Sequence, residues 1–426
     1  MRILILADDC NPDWPSLPVV GYKFAKAIAD HAEVVVVTHV RNQPYIDRDG
    51  LGNAEVVYVD TEKLAAPLFK LSVRMRGGEE VGWTTQMAMG YPGYLYFEWQ
   101  VWKRFGTEIQ AGEFDVVHRI TPMTPTLPSL IAKRCKDTPF VLGPLNGNLP
   151  WPKEFMEEQK RERETLSRLR HFYKYLPYHR STYKKSRCIL AAFSHTIEDL
   201  PKNISDKTIN YPEVGIDPEL FSYTPREQHE RKTILYAGRL VPYKCPEVVV
   251  RAFANSPTLR KHKLLMVGDG PERPRLEKII QDNQLEDCVE LAGRISQEQV
   301  GKVMRTADIF AFPSIRELGA GVVVEAMACG LTSVVVDYGG PATLIGEDRG
   351  VKVPMGDIDF LVEQFSAELE ALVKDPERIE ALGKAAYQHA IDYYSWDCKA
   401  KKLIDIYNWL KDPSKTKPDF WQPSEP

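Results

Sequence analysis

Short apolar runs alternate with stretches of helical periodicity along most of the chain, and the alternation starts twice. In the first half the runs are Ile3–Ala7, Val34–Thr38, Val56–Val59, Val116–His118, Phe140–Leu142 and Cys188–Ala192. Most are continuous in apolar residues, as expected of parallel strands covered on both faces. The second half restarts with Thr233–Ala237, Lys263–Val267, Val289–Ala292, Ile309–Phe312, Ser333–Val336 and Val351–Val353. Helical spacing fills the gaps, for example Cys245–Asn255, Arg273–Asn283, Ser296–Thr306 and Asp357–Lys374. Two successive series of this kind predict an α/β chain of two doubly wound domains. The expected boundaries are 1–205 for the first domain, 206–225 for a linker rich in Pro, Asn and Asp, and 226–393 for the second. An amphipathic helix is expected over 394–411, and a loosely ordered, proline-bearing tail over 412–426.

Composition narrows the picture without naming a chemistry. A chain of 426 residues is too long for one ordinary core. The net charge of -4 gives no global case for a nucleic-acid partner. Seven scattered cysteines, an odd number without a C-x-x-C pair, fit reduced thiols better than disulfides or a zinc site. The first residues are apolar for too short a stretch to act as a signal peptide, and no run is long enough to span a membrane. The expectation is a cytoplasmic protein that can still touch a membrane surface.

Polar and small residues cluster where the second series of strands ends. Between Glu317 and Glu325 lies a glycine-rich helix entrance, Gly319-Ala320-Gly321, and Gly330 ends the helix. Free N–H groups of a first helical turn, with the helix dipole, favour an anion there. Were most of that span helical, the two carboxylates would stand roughly 12 Å apart along the axis, at about 1.5 Å per residue. A ligand with a central diphosphate and hydroxyl-bearing groups at both ends would suit that spacing, as a nucleotide sugar does. Two solvated helix-surface glutamates are the alternative. Gly238-Arg239-Leu-Val-Pro-Tyr-Lys244 follows the first strand of the second series, so its two cations share a strand-to-helix loop and can hold a diphosphate. Gly268-Asp-Gly270-Pro-Glu272, Gly293-Arg294 and Asp337-Tyr-Gly-Gly-Pro341 end neighbouring strands. Together they point to one shared nucleotide crevice.

These motifs resemble the donor domain of family 4 retaining glycosyltransferases, also called group 1, whose GT-B fold sets two Rossmann-like domains facing a central cleft. The resemblance rests on Ala237-Gly-Arg-Leu240 with Lys244, Gly268-Asp-Gly-Pro-Glu272, Ala307-Asp-Ile-Phe-Ala-Phe-Pro-Ser314, the Glu317/Glu325 pair and Ala326-Met-Ala-Cys-Gly330. Gly215-Ile-Asp217 with Phe221 resembles the family's linker, and the helix after Ser395-Trp396 its closing segment, which crosses back to the first domain. The resemblance implies a hexosyltransferase that moves a sugar from a nucleotide-diphosphate sugar to a carbohydrate or lipid-linked acceptor, in polysaccharide, glycolipid or glycoconjugate synthesis. It implies that Arg239 and Lys244 hold the donor diphosphate, that Glu317 contacts the donor sugar and that Glu325 binds the ribose. Gly238, Arg294, Ser314, Leu318, Gly319, Ala320 and Gly321 complete the expected donor set. No cofactor is called for beyond the donor substrate, and no residue cluster has metal-ligand spacing.

The chain departs from the family in places. Leu318-Gly319-Ala320-Gly321 stands where the family reads Gly-Phe-Gly after the first glutamate. A Gly-Gly loop after the first strand is reduced to Gly21, and a His-x-His motif to His118 alone, kept as a catalytic candidate against a structural role. Asn146 and Gly147, after the fifth strand, are candidates for the acceptor or cleft side. Asp8 and Asp9 read as a loop feature or acceptor contacts. A nucleotide-sugar epimerase on the same fold and a non-catalytic nucleotide-sugar-binding protein stay open as alternatives. Finally, Arg168–Arg187 carries seven Lys/Arg residues, five aromatics and no acid. That composition suits peripheral contact with an anionic membrane, or else a solvated helix pair with its aromatics in the core.

Overall fold

The computed structural model describes residues 1–76, 83–161, 172–226, 229–412 and 414–421. Two compact units emerge. The first comprises Met1–Asn148, Arg163–Glu213 and Trp396–Pro426, and the second Leu149–Glu162 and Val214–Ser395.

The first unit is built on the strands β1 (Arg2–Ala7), β2 (Glu33–His39), β3 (Glu55–Val59), β4 (Val116–Thr121), β5 (Phe140–Leu145), β6 (Cys188–Ala191) and β7 (Thr208–Ile209). They pair in parallel in the order β3-β2-β1-β4-β5-β6-β7. Every apolar run of the first series is a strand here; five are extended by one to three residues, and Cys188–Ala192 ends one residue earlier, at Ala191. Only the two-residue β7 was absorbed into the expected connection. Leu4, Val35, Val117 and Leu142 have no more than 2% of their surface exposed. Full burial of such side chains stabilises by about 1.5–3 kcal/mol each.

The second unit carries β8 (Thr233–Ala237), β9 (Lys263–Val267), β10 (Val289–Gly293), β11 (Ile309–Phe312), β12 (Thr332–Val336) and β13 (Gly350–Val353), in the parallel order β10-β9-β8-β11-β12-β13. Its helices begin where their caps dictate. Ser296 and Gln299 form a reciprocal capping box before helix Gln297–Thr306. Asp357 accepts the Phe360 N–H before helix Ile358–Val373. Helix Gly321–Ala328 stops at Gly330, whose φ of 70° is the left-handed conformation that glycine adopts most easily.

Two expectations need correction, and one of two alternatives is met in part. Leu149–Glu162, taken as part of the first domain, belongs to the second unit, and its Phe155 is wholly buried in that unit's core. The described part of the tail is anchored rather than loose. Phe420 is buried against the Tyr211 ring, and the Lys417 ammonium donates to the Asp206 and Thr208 carbonyls at 2.8 Å each. Lys399, in helix Trp396–Lys411, lies under both rings, with its nitrogen 4.3 Å from the Tyr211 centroid and 5.0 Å from that of Phe420. Finally, among the aromatics of Arg168–Arg187, Tyr173 and Tyr183 are core residues, and Tyr183 donates to the Pro125 carbonyl at 2.9 Å. Residues 168–171 lie outside the described set.

Candidate functional site

In an open parallel sheet, ligands collect at the carboxyl ends of the strands where the strand order reverses. In the second unit that point lies between β8 and β11, which pair side by side. The loop after β8 delivers Lys244 from a short turn, Pro242–Lys244, and the loop after β11 delivers Glu317. Their side chains form a close ion pair, with only 11% of the lysine and 16% of the glutamate side chain exposed. Ser314, fully buried, lies beneath it and donates to the Tyr243 carbonyl at 3.3 Å. The Ile315 N–H reaches that same carbonyl at 3.0 Å, so the two loops are stitched together. The Lys244 nitrogen also stands 4.8 Å from the centre of the Phe312 ring, a cation–π contact.

The neighbouring loops demand glycine for a physical reason. A Cβ on Gly268 would fall 1.9 Å from the Gly238 carbonyl oxygen, and one on Gly270 would fall 2.4 Å from that of Leu240. The loops after β8 and β9 therefore touch backbone to backbone. Likewise Gly340 donates its N–H to the Glu317 carbonyl at 2.8 Å, which holds the Glu317 loop from the β12 side.

Helix Gly321–Ala328 starts beside this pair. Its first-turn N–H groups receive no side-chain cap, because Ala320 stands at the capping position. Val323 already donates to the Ala320 carbonyl at 3.0 Å, which leaves the Gly321 and Val322 N–H groups to an anion, reinforced by the helix dipole. Ala320 adopts φ 56°, ψ 57°, a left-handed conformation costly for any residue with a Cβ. Glycine would relax it. The 317–320 stretch is not helical, so the axial spacing expected between the two glutamates does not apply. Glu325 is half-buried, accepts from the Gln297 amide at 3.3 Å, and has its pKa pushed up to about 7 by burial.

The remaining donor candidates fall into two groups. Gly238, Leu318, Gly319 and Gly321 line the same loops as Lys244 and Glu317. Arg239 and Arg294 are exposed at the ends of β8 and β10, and Arg239 donates to the Tyr243 hydroxyl at 2.8 Å. Sequence reasoning missed Gln297, Tyr243 and Arg226. Arg226 donates to the carbonyls of Cys329 and Gly330 at 2.6 and 2.8 Å and so fixes the end of the Glu325 helix. The signal for Gln297 was its place just after β10. Nothing local marks Arg226.

In the first unit several candidates prove structural. His118 is fully buried, with its two ring nitrogens on the Gly143 carbonyl at 2.7 Å and the Tyr407 hydroxyl at 2.5 Å. Burial pushes its pKa down to about 4, so it stays neutral. It ties β4 to β5 and to helix Trp396–Lys411 and cannot serve as a solvent-facing acid or base. Gly21 is not in a loop but inside helix Leu17–Ala29, where a Cβ would lie 2.5 Å from the Asp9 carbonyl oxygen. Its smallness lets that helix sit on the Asp9 loop. Asn146 is buried, donates to Glu213 and receives His195 at 3.1 Å; the Gly147 N–H donates to Thr196 at 3.1 Å. Asp8 and Asp9 end β1, and the Thr121 hydroxyl at the end of β4 bonds the Asp9 carbonyl at 3.1 Å. Burial, then the charge of Asp9, raises the Asp8 pKa to about 7.

Comparison with known proteins bears on these arrangements. A sequence model of the family described as glycosyl transferases group 1 matches residues 221–389. A D-inositol 3-phosphate glycosyltransferase of Kineococcus radiotolerans is 28% identical over 221 residues, 45% of this chain and 50% of that protein. A GDP-mannose-dependent alpha-(1-6)-phosphatidylinositol monomannoside mannosyltransferase of Mycolicibacterium smegmatis is 29% identical over 220 residues, 46% of this chain and 56% of that one. The chain spans about half the length of the curated relatives it matches. Among solved structures, sucrose-phosphate synthase from Thermosynechococcus elongatus superposes with a TM-score of 0.64 at 18% identity, covering 97% of this chain and 99% of that one. Anabaena HepE in complex with UDP gives 0.64 at 15% identity, with 95% and 99% covered. At such identities the likeness speaks for the fold alone, which is GT-B.

Proposed function

We propose that the chain, whose residues 221–389 match the group 1 glycosyltransferases, transfers a sugar from a nucleotide-diphosphate sugar to a hydroxyl-bearing acceptor, with retention at the anomeric carbon. The observation that carries the proposal is the Lys244–Glu317 pair at the β8/β11 reversal, beside an uncapped helix N-terminus. When the donor's glycosidic bond breaks, negative charge gathers on the departing diphosphate. Lys244, Arg239 and the N–H groups at Gly319–Gly321 are arranged to stabilise it, which lowers the barrier because the charge grows toward the transition state. Glu317, in contact with Lys244, orients the donor sugar. Glu325 takes the ribose hydroxyls, and ionised it is the better acceptor for them. The acceptor hydroxyl attacks on the leaving-group face and passes its proton to a phosphate oxygen.

In this reading the cations do the work that a metal ion would otherwise do, so EDTA leaves the rate unchanged. Activity lost with EDTA and restored by magnesium or manganese would sink that part. The experiment for the whole proposal is a panel of nucleotide sugars with released nucleoside diphosphate as readout, and NMR of the product for its anomeric configuration. Conversion of the donor without any acceptor would favour an epimerase instead. The relatives named above act on an inositol phosphate and on a phosphatidylinositol monomannoside, and we take a polar polyol, free or lipid-linked, as the acceptor class. Among the described residues no helix is long and apolar enough to cross a membrane. Contact with an anionic surface is proposed through the exposed Arg180, Lys184, Lys185 and Arg187, with Tyr175, 83% exposed, at the interface. Co-sedimentation with phosphatidylglycerol vesicles tests it; binding undiminished in K184E/K185E/R187E would overturn it.

A further inference from the structure

Fourteen residues that leave the first unit after β5 return to it only after passing through the second. That segment, Leu149–Glu162, touches four of the strand-end loops of the donor crevice in turn. Leu149 packs against Gly339 after β12, where a Cβ would come within 2.8 Å of the leucine. The Pro150 carbonyl accepts the Tyr338 hydroxyl at 2.9 Å on the same loop. The face of Trp151 lies under the Arg316 guanidinium at 5.0 Å, and Arg316 adjoins Glu317. Helix Met156–Arg161 then packs against the Pro242–Lys244 turn. At its end Arg161 donates to Glu272 after β9 at 2.9 Å and to Glu158 at 3.0 Å. Phe155 anchors the middle in the core.

We propose that Leu149–Arg161 is a clamp that positions the donor loops, with Trp151 holding the Arg316–Glu317 loop and Arg161 holding the loop after β9. The physical case is one of entropy and spacing. The loops after β8, β9, β11 and β12 are short, glycine-bearing and exposed at their tips. A shift of any of them by fractions of an ångström would be enough to misalign a charge-stabilising pair. A single segment braced on all four restrains such shifts together. Trp151 is suited to the role because an aromatic face fixes a guanidinium without neutralising it. The indole N–H is buried and has no hydrogen-bond partner, so the ring sits where the cation–π contact and packing, rather than a hydrogen bond, hold it. Trp151 and Arg161 are positioning residues, since they act through Arg316 and Glu272.

The proposal rests on the donor reading above, and the test separates the two. Calorimetric binding of UDP and GDP is measured for the full-length protein and for W151A, W151F and R161Q, with amide hydrogen exchange over 313–320. W151A is expected to weaken the nucleoside diphosphate that binds by about fivefold to tenfold. In W151A the amides of 313–320 should exchange faster than those of the strands β8 and β11, beyond the lower melting temperature that loss of the packed ring brings. W151F, which keeps an aromatic face, should restore both to within about twofold. R161Q should weaken binding by about threefold to tenfold, an exposed-to-half-buried ion pair being worth less than a buried one. Wild-type binding by W151A and R161Q together, or failure of W151F to rescue, overturns the clamp while leaving the donor site standing. A wild-type protein that binds no nucleoside diphosphate overturns both.

Discussion

Each sheet reverses its strand order once, and the two reversals hold opposite chemistry. Between β8 and β11 a lysine and a glutamate meet beside an uncapped helix N-terminus, among loops that glycine keeps thin. Between β1 and β4 two aspartates meet a threonine, and helix Leu17–Ala29 lies directly on their loop because Gly21 has no side chain. The topology offers both places to a ligand. Charge and room decide which takes an anion. A diphosphate brought to Asp8 and Asp9 would meet like charge, and the pair already resists ionisation, with Asp8 raised to about 7. The same diphosphate brought to Lys244 would meet a cation and N–H dipoles.

The largest effect expected from this contrast is in Lys244→Ala. Two unit charges about 4 Å apart interact by roughly 4 kcal/mol at an effective dielectric near 20, so losing one should slow transfer by about a hundredfold to a thousandfold. Arg239→Ala, which removes an exposed cation, should cost only about tenfold. Initial-rate measurements check both. Equal losses in the two variants would mean that burial does not grade these cations as argued, and an equal loss in Asp9→Asn would erase the contrast between the reversals.

Glu325 comes next. If Glu325 binds the ribose as proposed, Glu325→Ala should weaken nucleoside diphosphate binding by about 10- to 150-fold, or roughly 1.5–3 kcal/mol. Its pKa, raised to about 7, adds a pH signature. The folded protein holds that proton between the ordinary carboxyl range and pH 7, so this residue's contribution to stability falls as pH rises through that window. Binding that needs the ionised form strengthens as pH rises through about 7. In Glu325→Gln both slopes should shrink by one proton's worth, and comparing the two proteins subtracts the titration of the nucleotide itself. Calorimetry from pH 6 to 8 and melting from pH 5 to 8 measure these slopes; identical profiles would remove Glu325 from the site.

A smaller effect is expected at His118, and on stability rather than rate. Leaving the Gly143 carbonyl and the Tyr407 hydroxyl without their partner costs about 2 kcal/mol. For a unit of this size that lowers the melting temperature by roughly 4–8 °C. His118→Ala should show this loss with kcat nearly intact below the transition, whereas a collapse of kcat alone would return His118 to the catalytic candidates. The smallest change is Ala320→Gly, which relieves a left-handed alanine and should stabilise by about 0.5–1 kcal/mol, read by denaturant titration. A destabilised Ala320→Gly would show that the Cβ is packed well enough to outweigh its backbone strain.

Most of the architecture could be read in the chain before any coordinates. Continuous apolar runs at Thr233–Ala237, Lys263–Val267 and Ile309–Phe312 mark strands to the residue, since a parallel strand buried on both faces leaves no other pattern. The glycines of 268–270 and the cation at 244 were equally visible, because a backbone so close to its neighbour that a Cβ would fall 1.9 Å from a carbonyl oxygen, or a charge set at a strand end, needs a particular residue type at one position. Only the tertiary structure decided that His118 is a core bridge, that Gly21 serves packing, that Phe420 covers Lys399, and that Leu149–Arg161 packs on the strand-end loops of the second unit. These depend on which distant segments meet. Periodicity and turn chemistry are local, while burial of a polar group and its partners are set by contacts between separate elements, some of them hundreds of residues apart. For His118 and Tyr407 the separation is 289 residues.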